Sequence, residues 1–428
     1  MKRLFLVIPL FCAALSVSAQ SAKEEIRQIP ALAAGKYYAY QAPDVQLTPA
    51  PEGYEPFYIS MFARHGSRYL TKQKKYDKPL AILRHAERQG ILTDDGKRAL
   101  KVVESLAKEA DGRYGELTPK GAEQHRELVR RMFAHYPQVF ADGVHVDARS
   151  TYKTRAFLSM TAGCVELKGL NPKLNITNDA SNHDLYYIKY KNEPYEAIHL
   201  ANMDSVYHAA DSVYVHPARL MKQLFTHPEV VEDPTGLMMD LFELDGISQS
   251  SYNQPDLAFL FNEDERYDLW QRNNFEWYYE KGASPLSDAC MYKVERNLLC
   301  NFVETADTVI ASKRNCVTLR YGHDTNLAPL ATLMGCNHLS ASTADWQKIA
   351  ETYRTYRLIP MCGNVQLIFF RKPGDEDILV KLLLNEREVT LPVKTDCAPF
   401  YHWKDVRAYW MQVVESIDLP EVEVMQED

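Results

Sequence analysis

Three β-rich runs in this chain each stop at a turn loaded with cationic or titratable side chains, and that recurrence restricts the folds open to it. Phe57 to Ala63 ends in Arg64-His65-Gly66-Ser67-Arg68, Val144 to Ala148 ends at Arg149, and Cys316 to Tyr321 ends in Gly322-His323-Asp324. Helical patterns fall between them. Thr118 is a good N-cap with Pro119 suited to the first turn, and Leu128, Val129, Met132 and Phe133 share one face. A further helix runs through Phe157, Leu158 and Thr161. Strands at Val365 to Phe370 and Ile378 to Leu384 precede a last helix around Trp403 to Val414. Alternating strands and helices of this kind predict an α/β fold. The stretch 171–308 differs, being rich in Tyr, Met and acidic residues, with Val294, Leu298, Phe302 and Ala306 on one helical face. The expected architecture is a three-layer sheet domain with helices on both faces (20–170 and 309–428), interrupted by a mostly helical insertion (171–308).

In open α/β sheets, ligands sit beyond the carboxyl ends of the strands. If the three strands are neighbours, Arg64, Arg68, Arg149 and His323 converge on one point. A guanidinium grips phosphate oxygens with a bidentate fork, and several of them around one imidazole suit a phosphoryl group better than a carboxylate. His65 is then the candidate nucleophile. Surrounding arginines disfavour its imidazolium and stabilise charge on the equatorial oxygens. Asp324 is the carboxyl placed to protonate a leaving alkoxide. Taken singly, an Arg-His-Gly is an ordinary surface turn and Arg149 an ordinary salt-bridging residue. The ordered set, each member at a strand end, carries the inference.

Charge narrows the partners. Lys2 and Arg3, the apolar stretch Leu4 to Leu15 and Val17-Ser18-Ala19 read as a signal peptide over 1–19, with secreted or periplasmic localisation after cleavage near Ala19. Cleavage would lower Lys+Arg from 49 to 47 against 57 Asp+Glu, a net charge of −10. Such a balance disfavours nucleic acid, and no later run is long and apolar enough for membrane insertion. Seven cysteines follow the leader, an odd count that admits disulfides but does not fix their pairing.

These residues resemble the histidine acid phosphatases, branch 2 of the histidine phosphatase superfamily, over nearly the whole mature length. Arg64 to Arg68 matches the R-H-G-x-R signature, Gly115-Glu116-Leu117-Thr118-Pro119-Lys120-Gly121 a second motif, and Gly322-His323-Asp324-Thr325-Asn326 the His-Asp motif. Arg149 with Thr154, Ala156 and Phe157 resembles the third-arginine motif, and Met361 to Phe370 the late strand. The resemblance implies phosphorylation of His65, phosphate binding by Arg64, Arg68, Arg149 and His323, an acid at Asp324, and no metal or cofactor. The context Leu319-Arg320-Tyr321-Gly322-His323 is similar to multiple inositol polyphosphate phosphatases, whereas His323-Asp324 follows the phytases. Thr71 and Lys72 resemble the phytase segment whose positions contact substrate phosphate.

Lys72, Lys74, Lys75 and Lys78 form either a solvated face or a pocket lining. A pocket lining favours a polyanionic small molecule such as an inositol polyphosphate. The competing readings are a sugar-phosphate or broad-specificity acid phosphatase, a mutase-like enzyme of the first branch, and a noncatalytic anion-binding protein. Intact His65 and Asp324 weigh against the last.

Overall fold

Strand β1, Glu55–Arg64, lies inside an eight-stranded mixed sheet and is buried from Phe57 to Arg64. The computed structural model describes residues 20–253 and 255–420; the expected signal peptide, 1–19, lies outside them. The other strands are β2 His145–Ser150, β3 Asn175–Asp179, β4 Cys316–Gly322, β5 Asn364–Arg371, β6 Ile378–Leu384, β7 Arg387–Glu388 and β8 Phe400–His402. Their order is β3-β2-β4-β1-β5-β6-β7, with β8 also paired to β6. The β3, β2, β4 and β1 strands run parallel, so β1, β2 and β4 deliver their carboxyl ends to one edge. On the far side of β1, β5 and the strands after it are antiparallel.

The near-continuous apolar runs of β1 and β4 are what a strand covered on both faces requires. Ile59, Met61 and Ala63 face one core with Leu128, Val129 and Met160, from the Pro119–His135 and Thr154–Leu170 helices. Tyr58 and Phe62 face another with Leu298, Phe302 and Trp410, under the Arg296–Ser312 and Trp403–Glu415 helices. This is the expected three-layer arrangement.

A third core holds the helical part, and its membership differs from the sequence expectation. Leu83, Leu100, Val103 and Leu106, placed by sequence in the sheet domain, pack with Leu224, Leu241, Leu269 and Trp270 of the insertion. Conversely, β3 and the Arg296–Ser312 helix, inside the expected insertion, belong to the sheet layers. The seven cysteines among the described residues are free thiols, and no helix among those residues is long and apolar enough to cross a membrane.

One close approach couples this packing to the strand-end turn after β1. A β-carbon on Gly121 would stand 2.2 Å from the Ser67 carbonyl, and one on Gly66 would stand 2.2 Å from the Gly121 carbonyl. Both atoms are backbone, which cannot swing aside. Gly121→Ala is therefore expected to lower stability by about 1–3 kcal/mol or more through overpacking. Thermal unfolding reads the loss; an unchanged melting temperature would mean the two segments separate freely.

Candidate active site

The turn after β1 is held almost atom by atom. Arg64 N–H donates to the Gly363 carbonyl at 2.8 Å and His65 N–H to the Gly322 carbonyl at 2.9 Å, so β4 and β5 grip the strand end from both sides. Gly66 N–H reaches the Ser159 hydroxyl at 3.1 Å, Ser67 N–H the Gln124 side chain at 2.9 Å, and Leu70 N–H the Tyr76 hydroxyl at 2.8 Å. Thr118 caps its helix and donates its N–H to the Ser67 carbonyl at 2.9 Å. A turn with so few orphan amides is preorganised.

His65 is 1 % exposed. Its Nδ1 lies 2.9 Å from the Gly66 carbonyl; an N–H donated there leaves the Nε2 lone pair for another partner. His323 stands edge-on with ring centroids 5.6 Å apart, and its Nε2 is 3.0 Å from the Thr151 hydroxyl. Arg64 is fully buried and places Nη2 2.6 Å from an Asp324 oxygen, while its Nη1 donates to the Lys36 and Ile359 carbonyls. Arg68 donates to the Tyr69 carbonyl and covers the Tyr37 ring. The Nε–H groups of Arg64, Arg68 and Arg155 are buried without a hydrogen-bond partner among the described residues. Buried orphan donors are costly, and three guanidinium donors in one cluster suit an anion.

The electrostatics agree with that reading. Burial first, then Arg64, Arg155 and Arg68, push His65 well below the usual imidazole value. Burial and then Arg155 bring His323 down to about 3. Burial alone would raise the Asp324 carboxyl. Arg64, Arg68, Lys36 and His323 outweigh it and hold Asp324 far below the usual carboxylate range. Burial, and then the neighbouring Arg68, lower Arg155 to about 10.

The structure brings together His65, Arg64, Arg68, His323 and Asp324, but not Arg149. β2 continues through Ser150, and alternation turns Ala148 and Ser150 into the sheet's buried face while Asp147 and Arg149 take the other. Arg149 is bound to Asp147 at 3.0 Å, Asp179 at 3.2 Å and Asp184 at 3.6 Å, where it ties β3 and the following segment to β2. Arg155, in the first turn of the Thr154–Leu170 helix, supplies the third guanidinium instead. Thr71 and Lys72 are exposed on the loop before the Lys74–Arg88 helix. Thr71 lies at the rim: a β-carbon on Gly115 would stand 3.5 Å from it and 3.7 Å from the Arg155 guanidinium.

A fold with strand-end histidines, three arginines and one acid defines a class. Residues 58–385 match the model of the histidine phosphatase superfamily, branch 2, and the chain belongs to that family; it is a histidine acid phosphatase. It is 21 % identical over 402 residues to multiple inositol polyphosphate phosphatase 1 of Gallus gallus, covering 87 % of this chain and 85 % of that protein. The multiple inositol polyphosphate phosphatase of Bifidobacterium longum, solved in complex with inositol hexasulfate, superposes with a TM-score of 0.71 at 20 % identity, covering 88 % of this chain and 97 % of that one. The phytase of D. castellii gives 0.64 at 14 % identity, over 90 % and 85 % of the two chains.

Two expectations follow. Arg155→Met should lower kcat/KM for any phosphate ester by about 10²-fold or more, the scale of losing one transition-state charge donor. Arg149→Met should lower the melting temperature and act on turnover far less; the reverse ranking would return the phosphate to Arg149. The second concerns pH. With His65 and His323 held neutral in the fold, the unfolded chain takes up protons below about pH 6.5 that the folded chain refuses. Stability should fall as pH drops from 6.5 toward 4, while the nucleophile stays unprotonated. A tenfold loss of kcat/KM per pH unit starting at 6.5 would mean that His65 titrates normally.

Proposed function

We propose that this protein is an exported phosphatase that removes phosphate from inositol polyphosphates through a phosphohistidine at His65. The observation that carries the proposal is the buried neutral imidazole of His65, its Nδ1 committed to the Gly66 carbonyl, among three arginines with unpartnered Nε–H groups.

Nε2 attacks phosphorus, forming the P–N bond as the P–O bond to the alcohol breaks. Arg64, Arg68, Arg155 and His323 hold the equatorial oxygens, where charge is spread in the transition state. Asp324 is ionised at rest, so its proton must arrive with substrate. A monoanionic ester brings one, and its negative charge beside the carboxylate raises the proton affinity of Asp324. The acid then protonates the departing alkoxide. In the second half a water loses its proton to Asp324 and displaces His65 from phosphorus.

Inositol polyphosphates are favoured by what the chicken relative is named for and by the sulfated inositol bound in the Bifidobacterium structure. Thr71 and Lys72, exposed a few residues past His65, are proposed to meet further phosphates. The export part rests on the leader-like residues Lys2 to Ala19.

The test is phosphate release from inositol hexakisphosphate, a sugar phosphate and an aryl phosphate. Wild type should prefer the first, and an equal or reversed preference would move the broad-specificity reading ahead. His65→Ala should abolish turnover and the alkali-stable phosphoenzyme. Asp324→Asn should cost about 10²–10⁴-fold on alkyl esters and less on the aryl ester, whose leaving group needs little protonation. Equal losses on both would remove Asp324 as the acid.

A further inference from the structure

The wall of the site beside Asp324 is built by a segment without any motif. The turn Pro30–Tyr37 carries Gly35 at φ +55°, where a β-carbon would also come within 2.9 Å of the Thr355 hydroxyl. This turn aims the Lys36 carbonyl at the Arg64 guanidinium. It also lays the Lys36 ammonium across two aromatic faces, 5.3 Å from the Tyr37 ring centre and 5.2 Å from that of Trp277. Tyr37 is itself fixed: its hydroxyl donates to Glu243 at 2.6 Å, and Arg68 lies 5.7 Å from its ring centre. Glu243 is taken by Lys75 at 2.7 Å. Among the described residues no carboxylate lies within ion-pair distance of Lys36; its ammonium acts at longer range on Glu243 and Glu280 to one side and on Asp324 to the other.

The direction of the reaction gives this cation a meaning. Attacking and leaving atoms are in line across phosphorus, and Asp324 serves the leaving oxygen. A cation on the Asp324 side but outside the arginine cluster, as Lys36 is, therefore lies toward the alcohol portion of the substrate rather than the phosphoryl group. Aromatic faces hold an ammonium without neutralising it. A simple alkyl or aryl alcohol offers such a charge nothing, whereas an alcohol with its own phosphate offers a dianion.

We infer that Lys36, seated on Tyr37 and Trp277, binds a phosphate on the leaving-group side of the substrate and so selects polyphosphorylated alcohols over simple monoesters. This rests on the reading of His65 and Asp324 proposed above.

Inhibition of aryl phosphate hydrolysis separates the two phosphate positions. Inositol hexakissulfate probes both, and inorganic phosphate probes the arginine cluster alone. Lys36→Met should raise the Ki of the hexakissulfate by about 10-fold or more, as expected for losing one charge-assisted contact, while the Ki of phosphate moves far less. Lys36→Arg should recover most of the difference. Parallel shifts in both Ki values would overturn the inference, because Lys36 would then be supporting the arginine cluster. No shift in either would overturn it equally. Wild type binding the hexakissulfate no more tightly than phosphate would sink the polyphosphate substrate itself, together with this subsite. A wild-type preference that survives Lys36→Met sinks the subsite alone.

Discussion

Everything in this site hangs on a guanidinium taken out of water. Arg64 ends the central strand with no solvent exposure, and burial brings it down to about 10. A charge so placed costs several kcal/mol unless partners replace its hydration. Two carbonyls and Asp324 do so, and each comes from a different part of the chain: residue 36, residue 359 and the start of the helix after β4. The ion pair thus draws these segments together, with the Asp324 carboxyl held ionised and the His65 imidazole beside it held neutral. In the proposed reaction an incoming phosphate competes with Asp324 for the same guanidinium. Substrate binding and recharging of the acid are one electrostatic event.

The turn that carries His65 is the mechanical counterpart. Its amides are committed to β4, β5 and the two helices of one sheet face, and two glycines meet backbone to backbone beneath it. A nucleophile held this way has little to reorganise when phosphate arrives, which is where such sites gain most of their rate. The same holding explains why a loop so close to the chemistry tolerates little change in volume beneath it.

How much of this was legible in the sequence follows from which forces are local. The strands at 57–63, 316–321 and 365–370 were plain because doubly covered strands are continuous apolar runs. β3 was not: Asn175 to Asp179 is an edge strand with one apolar residue, so no alternation marks it. The Lys74–Arg88 and Asp94–Ala110 helices bury apolar faces, but periodicity says only that a face is buried, not against what. Their partners lie more than a hundred residues away. At the third-arginine motif the expectation falls on Arg149, the residue at the strand end. The alternation of β2 and the extra strand residue Ser150 decide for Arg155, which a stricter count of strand parity and helix start could have found. Lys36 left no signal, since its place depends on long-range packing of Gly35 against Thr355 and of Tyr37 against Arg68.

The seven thiols have a consequence of their own. Cys362 adjoins the catalytic turn, donating its amide to the His65 carbonyl, and Cys336 and Cys164 are packed into apolar surroundings. Burial pushes Cys336 and Cys164 up to about 12, so neither exists as the thiolate that exchange chemistry needs. Among the described residues these seven thiols form no disulfide, and the three cores around the sheet and the helical part close by packing.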